Sequence, residues 1–210
     1  KKLNFESIDL AVANFYPFKK TIDTTKDHKK IIENIDIGGP TLIRSAAKNY
    51  NDVVVITKIS QYKNLINELK NYNGGTSLKF RLRMSREAFG ETASYDVKIY
   101  NYFNSITNQP IPKKFIFEAD LLEKFRYGEN PHQTGAIYSN TESLKLSQLQ
   151  GKDLSYNNYN DIFAALTISK SLPKNTGLVI IKHTNPCGVS TLKNTVECFK
   201  SALACDPISA

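Results

Sequence analysis

Two glycines and a proline stand directly before a predicted helix that carries three regularly spaced polar side chains. The segment 35–49 reads IDIGGPTLIRSAAKN, and Pro40 suits the first turn of that helix. Its polar positions share one helical face, made of Thr41, Arg44 and Lys48. The packed side is predicted to consist of Leu42, Ile43 and Ala46. Because N–H groups at a helix start attract anions and developing oxyanions, this pattern predicts a site for an anionic ligand.

A simpler interpretation of this segment stays open. Gly-Gly-Pro segments are usually ordinary turns before amphipathic helices. Asp36 would then only cap a turn, and Tyr16, in the nearby NFYPF segment, would belong to the core.

A lysine and a histidine follow the end of a second apolar run. Residues 180–188 read IIKHTNPCG, so that Lys182 and His183 leave the carboxyl end of a predicted buried strand, where ligands of α/β sheets bind. A fixed cation beside a group that titrates near neutrality can stabilise an oxyanion and move a proton. An isolated histidine is nevertheless more often structural than catalytic. A zinc site at His132, His183 and Cys187 fails on spacing, because no close ligand pair anchors the metal.

The elements that position these residues alternate between strand and helix, which predicts an α/β fold. Strands are expected at 8–15, 53–57, 136–138 and 178–181. Helices are expected at 29–34, 40–49, 61–71, 78–103 and 160–172, with Tyr95, Ile99 and Tyr102 on one face. The segment 109–114 contains two prolines and two lysines and resists both helix and central strand. It is the predicted linker between domains at 1–114 and 115–210.

The net charge of +8 is compatible with three classes of partner: nucleic acid, an anionic membrane surface and small phosphorylated ligands. The basic residues are scattered, without the five or six consecutive like charges of a polybasic arm. This distribution favours small phosphorylated ligands over nucleic acid or an anionic membrane, with most lysines on solvated faces.

Cysteine usage and hydropathy indicate a cytoplasmic protein. Cys187, Cys198 and Cys205 are an odd number without C-x-x-C spacing, which predicts reduced thiols. No apolar run reaches the ~18 to 20 residues needed to cross a bilayer. The sequence begins at Lys1, its only methionine is Met84, and its last segment, 202–210, stops without a terminal cap or tail, so both ends are expected to be internal to a longer chain.

Six motifs in order resemble the bifunctional AICAR transformylase/IMP cyclohydrolase family, where AICAR is 5-aminoimidazole-4-carboxamide ribonucleotide. The motifs are NFYPF, ENIDIGGPTLIRSAAKN, FRYGENPHQ, LSYNNYNDIFAAL, KHTNPCG and CDPISA, and they cover nearly the whole chain. The resemblance implies part of a methylglyoxal-synthase-like cyclohydrolase domain, which closes formyl-AICAR to IMP with loss of water. Part of a cytidine-deaminase-like transformylase domain without zinc would follow it.

For the cyclohydrolase part, the resemblance places Tyr16, Asp36 and Lys48 at active-site positions. Lys48 and Tyr16 would transfer protons, and Asp36 would orient or deprotonate the amide. Backbone N–H groups around Ile37 and Gly38 would face the formyl oxygen. The same motifs contain Asn14 and Arg44 as further substrate-binding candidates.

For the transformylase part, the resemblance implies formyl transfer from 10-formyltetrahydrofolate, a co-substrate, to the AICAR amine without a metal. Lys182 would stabilise charge on the formyl oxygen, and His183 would accept the amine proton. Arg126 and Tyr127 match nucleotide-binding positions, Arg126 through the phosphate, and Asn158 matches a polar substrate contact. The resemblance also implies a homodimer.

The family pattern extends beyond both ends of this sequence. Its amino-terminal phosphate-binding loops and a lysine in a G-R-V-K-T-L-H-P-like motif are expected before Lys1, and its folate-binding half after Ala210. This polypeptide alone is therefore expected to have neither the transformylase nor the cyclohydrolase activity. Two alternatives stay open, a non-catalytic fragment and a basic nucleic-acid-binding module that would use the positive charge and eleven tyrosines.

Overall fold

A computed structural model describes residues 6–107, 111–140, 146–174 and 176–209. The chain divides into two compact units, Lys1–Glu118 and Ala119–Ala210. Both combine helices with short strands, so the fold is mixed α/β. Residues 108–110, which include part of the predicted linker, lie outside the described residues.

The first unit is built on two short parallel strands, β1 (Leu10–Val12) and β2 (Val54–Ile56). All three residues of β2 are buried, as the continuous apolar run predicted. The strand predicted at 8–15 is shorter in the structure, and Leu10 and Val12 at its ends are exposed.

The described residues of this unit also form five α-helices. They are α1 (Phe18–Thr24), α2 (His28–Glu33), α3 (Gly38–Lys48), α4 (Tyr62–Asn71) and α5 (Leu78–Ile106). A 3₁₀ turn, Ile59–Gln61, precedes α4. The sequence analysis missed α1, which has no side-chain cap and is fixed instead by Phe18, of which only 1% is exposed.

Helix α5 connects the two hydrophobic clusters of this unit. Phe80, Met84 and Ala88 on α5 pack in the cluster that contains β2 and the buried face of α3. Tyr95 belongs to the second cluster with Phe18 and Ile31, and Ile99 and Tyr102 pack against it. The predicted shared face of Tyr95, Ile99 and Tyr102 is therefore confirmed.

The packed side of α3 differs from the prediction at one position. Ile43 and Ala46 are buried as expected, together with Ala47. Leu42, however, is 50% exposed. Helix α3 contacts β2 and α5 through one stripe of its surface. Leu42 lies outside this stripe, so its side chain faces solvent.

The described residues of the second unit form two antiparallel strand pairs and two helices. The strands are β3 (Asp120–Lys124) with β4 (Ala136–Ser139), and β5 (Leu178–Lys182) with β6 (Asn185–Ser190). The helices are α6 (Tyr156–Ser171) and α7 (Thr195–Leu203). The sequence analysis missed β3, β6 and α7.

Strand β5 is half-buried and antiparallel, which corrects the prediction of a buried strand in an α/β sheet. Its partner β6 contains Pro186 and Gly188, residues that normally argue against a strand. Gly188 permits close packing on α7, because a side chain there would overlap the carbonyl group of Ala202. Cys198 of α7 is buried and donates its thiol proton to the Ser190 carbonyl oxygen at 3.3 Å.

Within the described ranges, no helix is long and apolar enough to cross a membrane.

The contact between β6 and α7 predicts that Gly188→Ala destabilises the second unit. The added methyl group must displace the Ala202 backbone, and overpacking of this kind costs about 1 to 3 kcal/mol. Urea unfolding of the full-length protein would measure it. Gly90→Ala is the control, because a Cβ there meets nothing within 4 Å, and alanine in a helix stabilises by about 0.5 to 1 kcal/mol over glycine. Equal stability of Gly188→Ala and wild type would contradict the packing argument.

Candidate functional site

The carboxylate of Asp36 organises the turn before α3. Its Oδ1 accepts the N–H of Gly39 at 2.8 Å, and its Oδ2 accepts the N–H of Tyr16 at 3.3 Å. The first contact satisfies a backbone donor in the first turn of the helix, and the second joins the NFYPF segment to the helix start. The structure therefore brings the backbone of Tyr16 into contact with the carboxylate of Asp36.

Gly39 fits this turn because it has no side chain. A Cβ at position 39 would lie 2.5 Å from Oδ2 of Asp36. Any other residue would push the carboxylate away from the helix start, so the second glycine of the Gly-Gly pair is explained by close approach.

Two backbone donors in this turn remain available to a ligand. Among the described residues, no group accepts a hydrogen bond from the N–H of Ile37 or Gly38. The Ile37 side chain is 73% exposed, and Gly38 is also exposed. Two neighbouring N–H groups at a helix start, open to solvent, form a suitable place for an anion or a developing oxyanion.

The hydroxyl group of Tyr95, on α5, forms hydrogen bonds with this turn. The sequence analysis placed Tyr95 only on a helical face and did not predict this role. Its hydroxyl oxygen accepts the N–H of Asp36 at 2.8 Å and donates to the Asn34 carbonyl oxygen at 3.2 Å. Its ring packs against Phe15 at a centroid distance of 5.0 Å. Burial raises the pKa of Tyr95, which keeps the hydroxyl protonated and able to donate.

The other residues predicted for this site are more widely spread. Lys48 is exposed in the last turn of α3, about 15 Å along the helix axis from Gly38 at ~1.5 Å per residue. The Arg44 guanidinium lies 5.7 Å from the Phe89 ring centre. Asn14 is exposed after β1. The predicted polar face of α3 is thus exposed, but Asp36 lies before the start of α3 whereas Lys48 is its last residue.

In the second unit, β5 and β6 are joined by a two-residue hairpin turn, His183–Thr184, and Lys182 directly precedes it. Lys182 pairs with Asn185, and His183 and Thr184 between them have φ angles of 50° and 63°. Positive φ at both central residues matches the type I′ turn, which normally contains Asn or Gly. Each such residue costs about 1 to 3 kcal/mol, with the β-branched Thr184 among the least suited. The Lys182 and His183 side chains are exposed.

Side-chain hydrogen bonds hold this turn. Oδ1 of Asp161, on α6, accepts the Thr184 N–H at 2.7 Å. Nδ2 of Asn185 donates to the His183 carbonyl oxygen at 2.8 Å, and the Thr184 hydroxyl donates to the same oxygen at 2.6 Å. The turn is therefore fixed from α6 as well as from within.

The start of α6 also contacts the other predicted ligand loop. Nδ2 of Asn157 donates to the Glu129 carbonyl oxygen at 3.2 Å. Asn157 and Asp161 are four residues apart and lie on one face of the helix. The structure thus brings the FRYGENPHQ loop and the Lys182–Asn185 turn to the same helix face.

Asn158, a predicted substrate contact, has a structural role in α6. Its Oδ1 accepts the N–H and the hydroxyl proton of Ser155, both at 3.0 Å, in a capping box. The capping box explains why α6 begins four residues before the predicted start.

Arg126 and Tyr127 begin the loop that contacts Asn157. The Arg126 guanidinium is exposed and lies 5.4 Å from the Tyr127 ring centre. The N–H of Gly128 donates to the Gln133 carbonyl oxygen at 2.8 Å, which closes the loop. An open cleft of about 710 Å³ is lined by Gly128, Glu129, His132, Gln133, Thr134, Gly135, Ala136 and Tyr156.

The aromatic packing beneath this loop involves Tyr159 of α6. Its hydroxyl donates to Oε2 of Glu123 at 2.6 Å, and its ring stacks on Phe125 at 4.9 Å. The hydrogen bond to Glu123, together with burial, raises the pKa of Tyr159 to about 12. The stack fixes the end of β3 on α6, immediately before Arg126.

No group of three or more His, Cys, Asp or Glu side chains that could hold a metal occurs in the described parts of the chain.

The role of Tyr95 predicts that Tyr95→Phe destabilises the Asp36 turn. Removal of the hydroxyl leaves the Asp36 N–H and the Asn34 carbonyl without their partner, at a cost of about 1 to 3 kcal/mol. Urea unfolding should show the loss, and hydrogen exchange should increase at residues 34–39. Tyr72→Phe is the control, because Tyr72 is 53% exposed. Unchanged exchange at 34–39 would refute the role of Tyr95.

The Tyr159–Glu123 bond predicts a stability difference that disappears at alkaline pH. Tyrosine ionises near pH 10 in the unfolded chain, whereas Tyr159 ionises at about 12 in the folded chain. The bond therefore contributes fully below pH 10, and its contribution is lost as the pH rises towards 12. Wild type should be more stable than Tyr159→Phe at pH 8, with urea midpoints converging between pH 10 and 12.

Tyr138→Phe should show no such convergence, because Tyr138 is 60% exposed. A constant difference between wild type and Tyr159→Phe up to pH 12 would disprove the assignment.

Comparison with known proteins places the chain in a family. The family described as AICARFT/IMPCHase bienzyme matches residues 46–210. The bifunctional purine biosynthesis protein PurH of Bradyrhizobium diazoefficiens is 46% identical over 209 residues, which cover 97% of this chain and 39% of that protein. The protein of the same name from Rhizobium rhizogenes is 44% identical over 216 residues, which cover 100% of this chain and 40% of that protein.

Among solved structures, the crystal structure of ForH is 27% identical with a TM-score of 0.40, covering 47% of this chain and 51% of that chain. The chain spans about two fifths of the length of the PurH relatives. With a family match over most of its residues, the chain belongs to the AICARFT/IMPCHase bienzyme family.

Proposed function

We propose that the protein containing this chain performs two consecutive reactions of purine biosynthesis. It transfers a formyl group from 10-formyltetrahydrofolate to AICAR, and it then closes formyl-AICAR to IMP with loss of water. The observation that carries the proposal is the exposed Lys182–His183 turn, held on the same face of α6 as the Arg126 loop. Membership of the bienzyme family favours this function over a nucleic-acid-binding module or a non-catalytic fragment.

In formyl transfer, the AICAR amine attacks the formyl carbon, and the bond from that carbon to the folate nitrogen breaks. The Lys182 ammonium would stabilise the charge that develops on the formyl oxygen. His183 would accept the proton that the amine loses, and it would return a proton to the folate nitrogen as the carbon–nitrogen bond breaks, so that tetrahydrofolate is released. Both side chains are exposed at the turn and can reach a bound ligand.

The nucleotide would be held by the loop that precedes β4. The Arg126 guanidinium would bind the phosphate through paired N–H donors, with Tyr127 beside it. Asn158 would contact the substrate through its amide NH₂ group, because its carbonyl oxygen is already bonded to Ser155.

In cyclisation, the carboxamide nitrogen attacks the formyl carbon, and the N–H groups of Ile37 and Gly38 would bind the developing oxyanion. Asp36 would orient or deprotonate the amide, and Tyr16 would transfer a proton. Arg44 and Asn14 would contact the nucleotide. The proposed proton transfer by Lys48 requires the nucleotide to lie along the exposed face of α3, since Asp36 lies before the start of that helix whereas Lys48 is its last residue.

The two reactions would belong to two domains. Residues 1–114 would form part of a methylglyoxal-synthase-like cyclohydrolase, consistent with the parallel pair of β1 and β2. Residues 115–210 would form part of a cytidine-deaminase-like transformylase. The ligands would be AICAR, formyl-AICAR, IMP and the folate co-substrate, without a metal. We expect a cytoplasmic homodimer.

The proposal predicts that the two reactions can be lost separately. In the full-length protein, Lys182→Ala should reduce formyl transfer by about 10² to 10³-fold, as removal of an oxyanion-stabilising group does, and should spare cyclisation of added formyl-AICAR. Lys48→Ala should spare formyl transfer and reduce cyclisation. Release of tetrahydrofolate and formation of IMP would report the two steps.

Lys170→Ala is a matched control, because Lys170 is another exposed lysine of the second unit and has no proposed role. Equal impairment of both steps by either variant, with folding intact, would refute the assignment of two sites.

A further inference from the structure

Asp161, on α6, forms a hydrogen bond with the turn that carries Lys182 and His183. Its Oδ1 accepts the backbone N–H of Thr184 at 2.7 Å. The two residues are 23 positions apart in sequence, so this bond joins separate elements and does not form as part of the turn itself. Asp161 is half-buried, and Thr184 is exposed at the tip of the hairpin.

The turn needs such support because of its sequence. His183 and Thr184 both adopt positive φ, at 50° and 63°, and neither is glycine or asparagine. An unsupported His-Thr pair would favour other turn conformations, in which φ is negative. A change of φ at these two residues would redirect the His183 side chain and shift Lys182, the residue at the end of β5.

The position of Asp161 also connects the turn to the rest of the proposed site. Asn157, one helical turn earlier on the same face, bonds the carbonyl oxygen of Glu129 in the Arg126 loop. Helix α6 therefore contacts both the loop that carries Arg126 and the turn that carries His183.

We propose that Asp161 is a positioning residue for formyl transfer, which holds the His183–Thr184 turn in its left-handed conformation and thereby places Lys182 and His183. This inference rests on the proposed function of that pair. Asp161 contacts the turn's backbone, not the reacting atoms, so its effect passes through the two residues that it places.

The test of positioning uses the full-length protein and four variants at Asp161 and Thr184. Asp161→Ala removes the acceptor, and Asp161→Asn keeps a carbonyl oxygen at the same position. Thr184→Gly places glycine, which adopts positive φ at little cost, at the second turn position, where type I′ turns prefer it. The fourth variant combines Asp161→Ala with Thr184→Gly.

Asp161→Ala should lower kcat for formyl transfer by about a hundredfold, the effect of misplacing catalytic groups by about 1 Å. KM for AICAR should change less, because the Arg126 loop has its own contact with α6. Cyclisation should be unchanged. Asp161→Asn should lose less than about tenfold, since a neutral acceptor gives a weaker but similarly directed bond.

The double variant distinguishes positioning from other roles. If Asp161 acts by holding the turn, Thr184→Gly should restore at least about tenfold of the activity lost in Asp161→Ala, because glycine removes the penalty that the carboxylate offsets. If Asp161 contacts the substrate directly, glycine will restore nothing and Asp161→Asn will be as inactive as Asp161→Ala. If Asp161 only maintains the fold, urea stability and cyclisation will fall together with formyl transfer. Either of the last two results would overturn the inference.

Lys182→Ala separates this inference from the proposed function. If wild type transfers no formyl group, or Lys182→Ala is fully active, the proposed function fails. If wild type is active, Lys182→Ala is inactive and Asp161→Ala equals wild type, only the positioning role fails.

Discussion

A backbone N–H group in a turn needs an acceptor, and in both units an aspartate carboxylate supplies it next to the proposed chemistry. Asp36 accepts the N–H groups of Tyr16 and Gly39, and Asp161 accepts that of Thr184. Bonds of this kind are stronger than neutral ones and constrain direction. Each carboxylate joins segments distant in sequence, Tyr16 with Asp36 and Asp161 with Thr184, and so links its turn to the surrounding fold.

Each of these carboxylates depends in turn on a long helix. Tyr95 of α5 accepts the N–H of Asp36 from within the second hydrophobic cluster, while other residues of α5 pack around β2. Asp161 belongs to α6, whose Tyr159 is fixed by Glu123 and Phe125. Burial of apolar and aromatic groups therefore stabilises the helices, and the helices set the polar atoms that hold the turns.

The sequence predicted elements whose signals are local. The continuous apolar run at β2 and the face of Tyr95, Ile99 and Tyr102 are both in the structure. Elements stabilised by distant contacts were missed, such as α1, which depends on burial of Phe18, and β6, where Gly188 is required by contact with α7. The start of α6 was predictable, because Ser155 and Asn158 have capping-box spacing.

For the candidate sites, residue types were visible in sequence but their geometry was not. Glycine or asparagine signals a left-handed turn, and neither occurs at His183 or Thr184, so nothing local reveals their positive φ. A conformation that disagrees with local preference must be imposed by tertiary contacts, here by a carboxylate 23 residues away. It follows that the placement of Lys182 and His183 is determined less by the KHTN sequence than by the docking of α6 against β5. Substitutions that weaken this docking should therefore move the proposed catalytic pair without altering either residue.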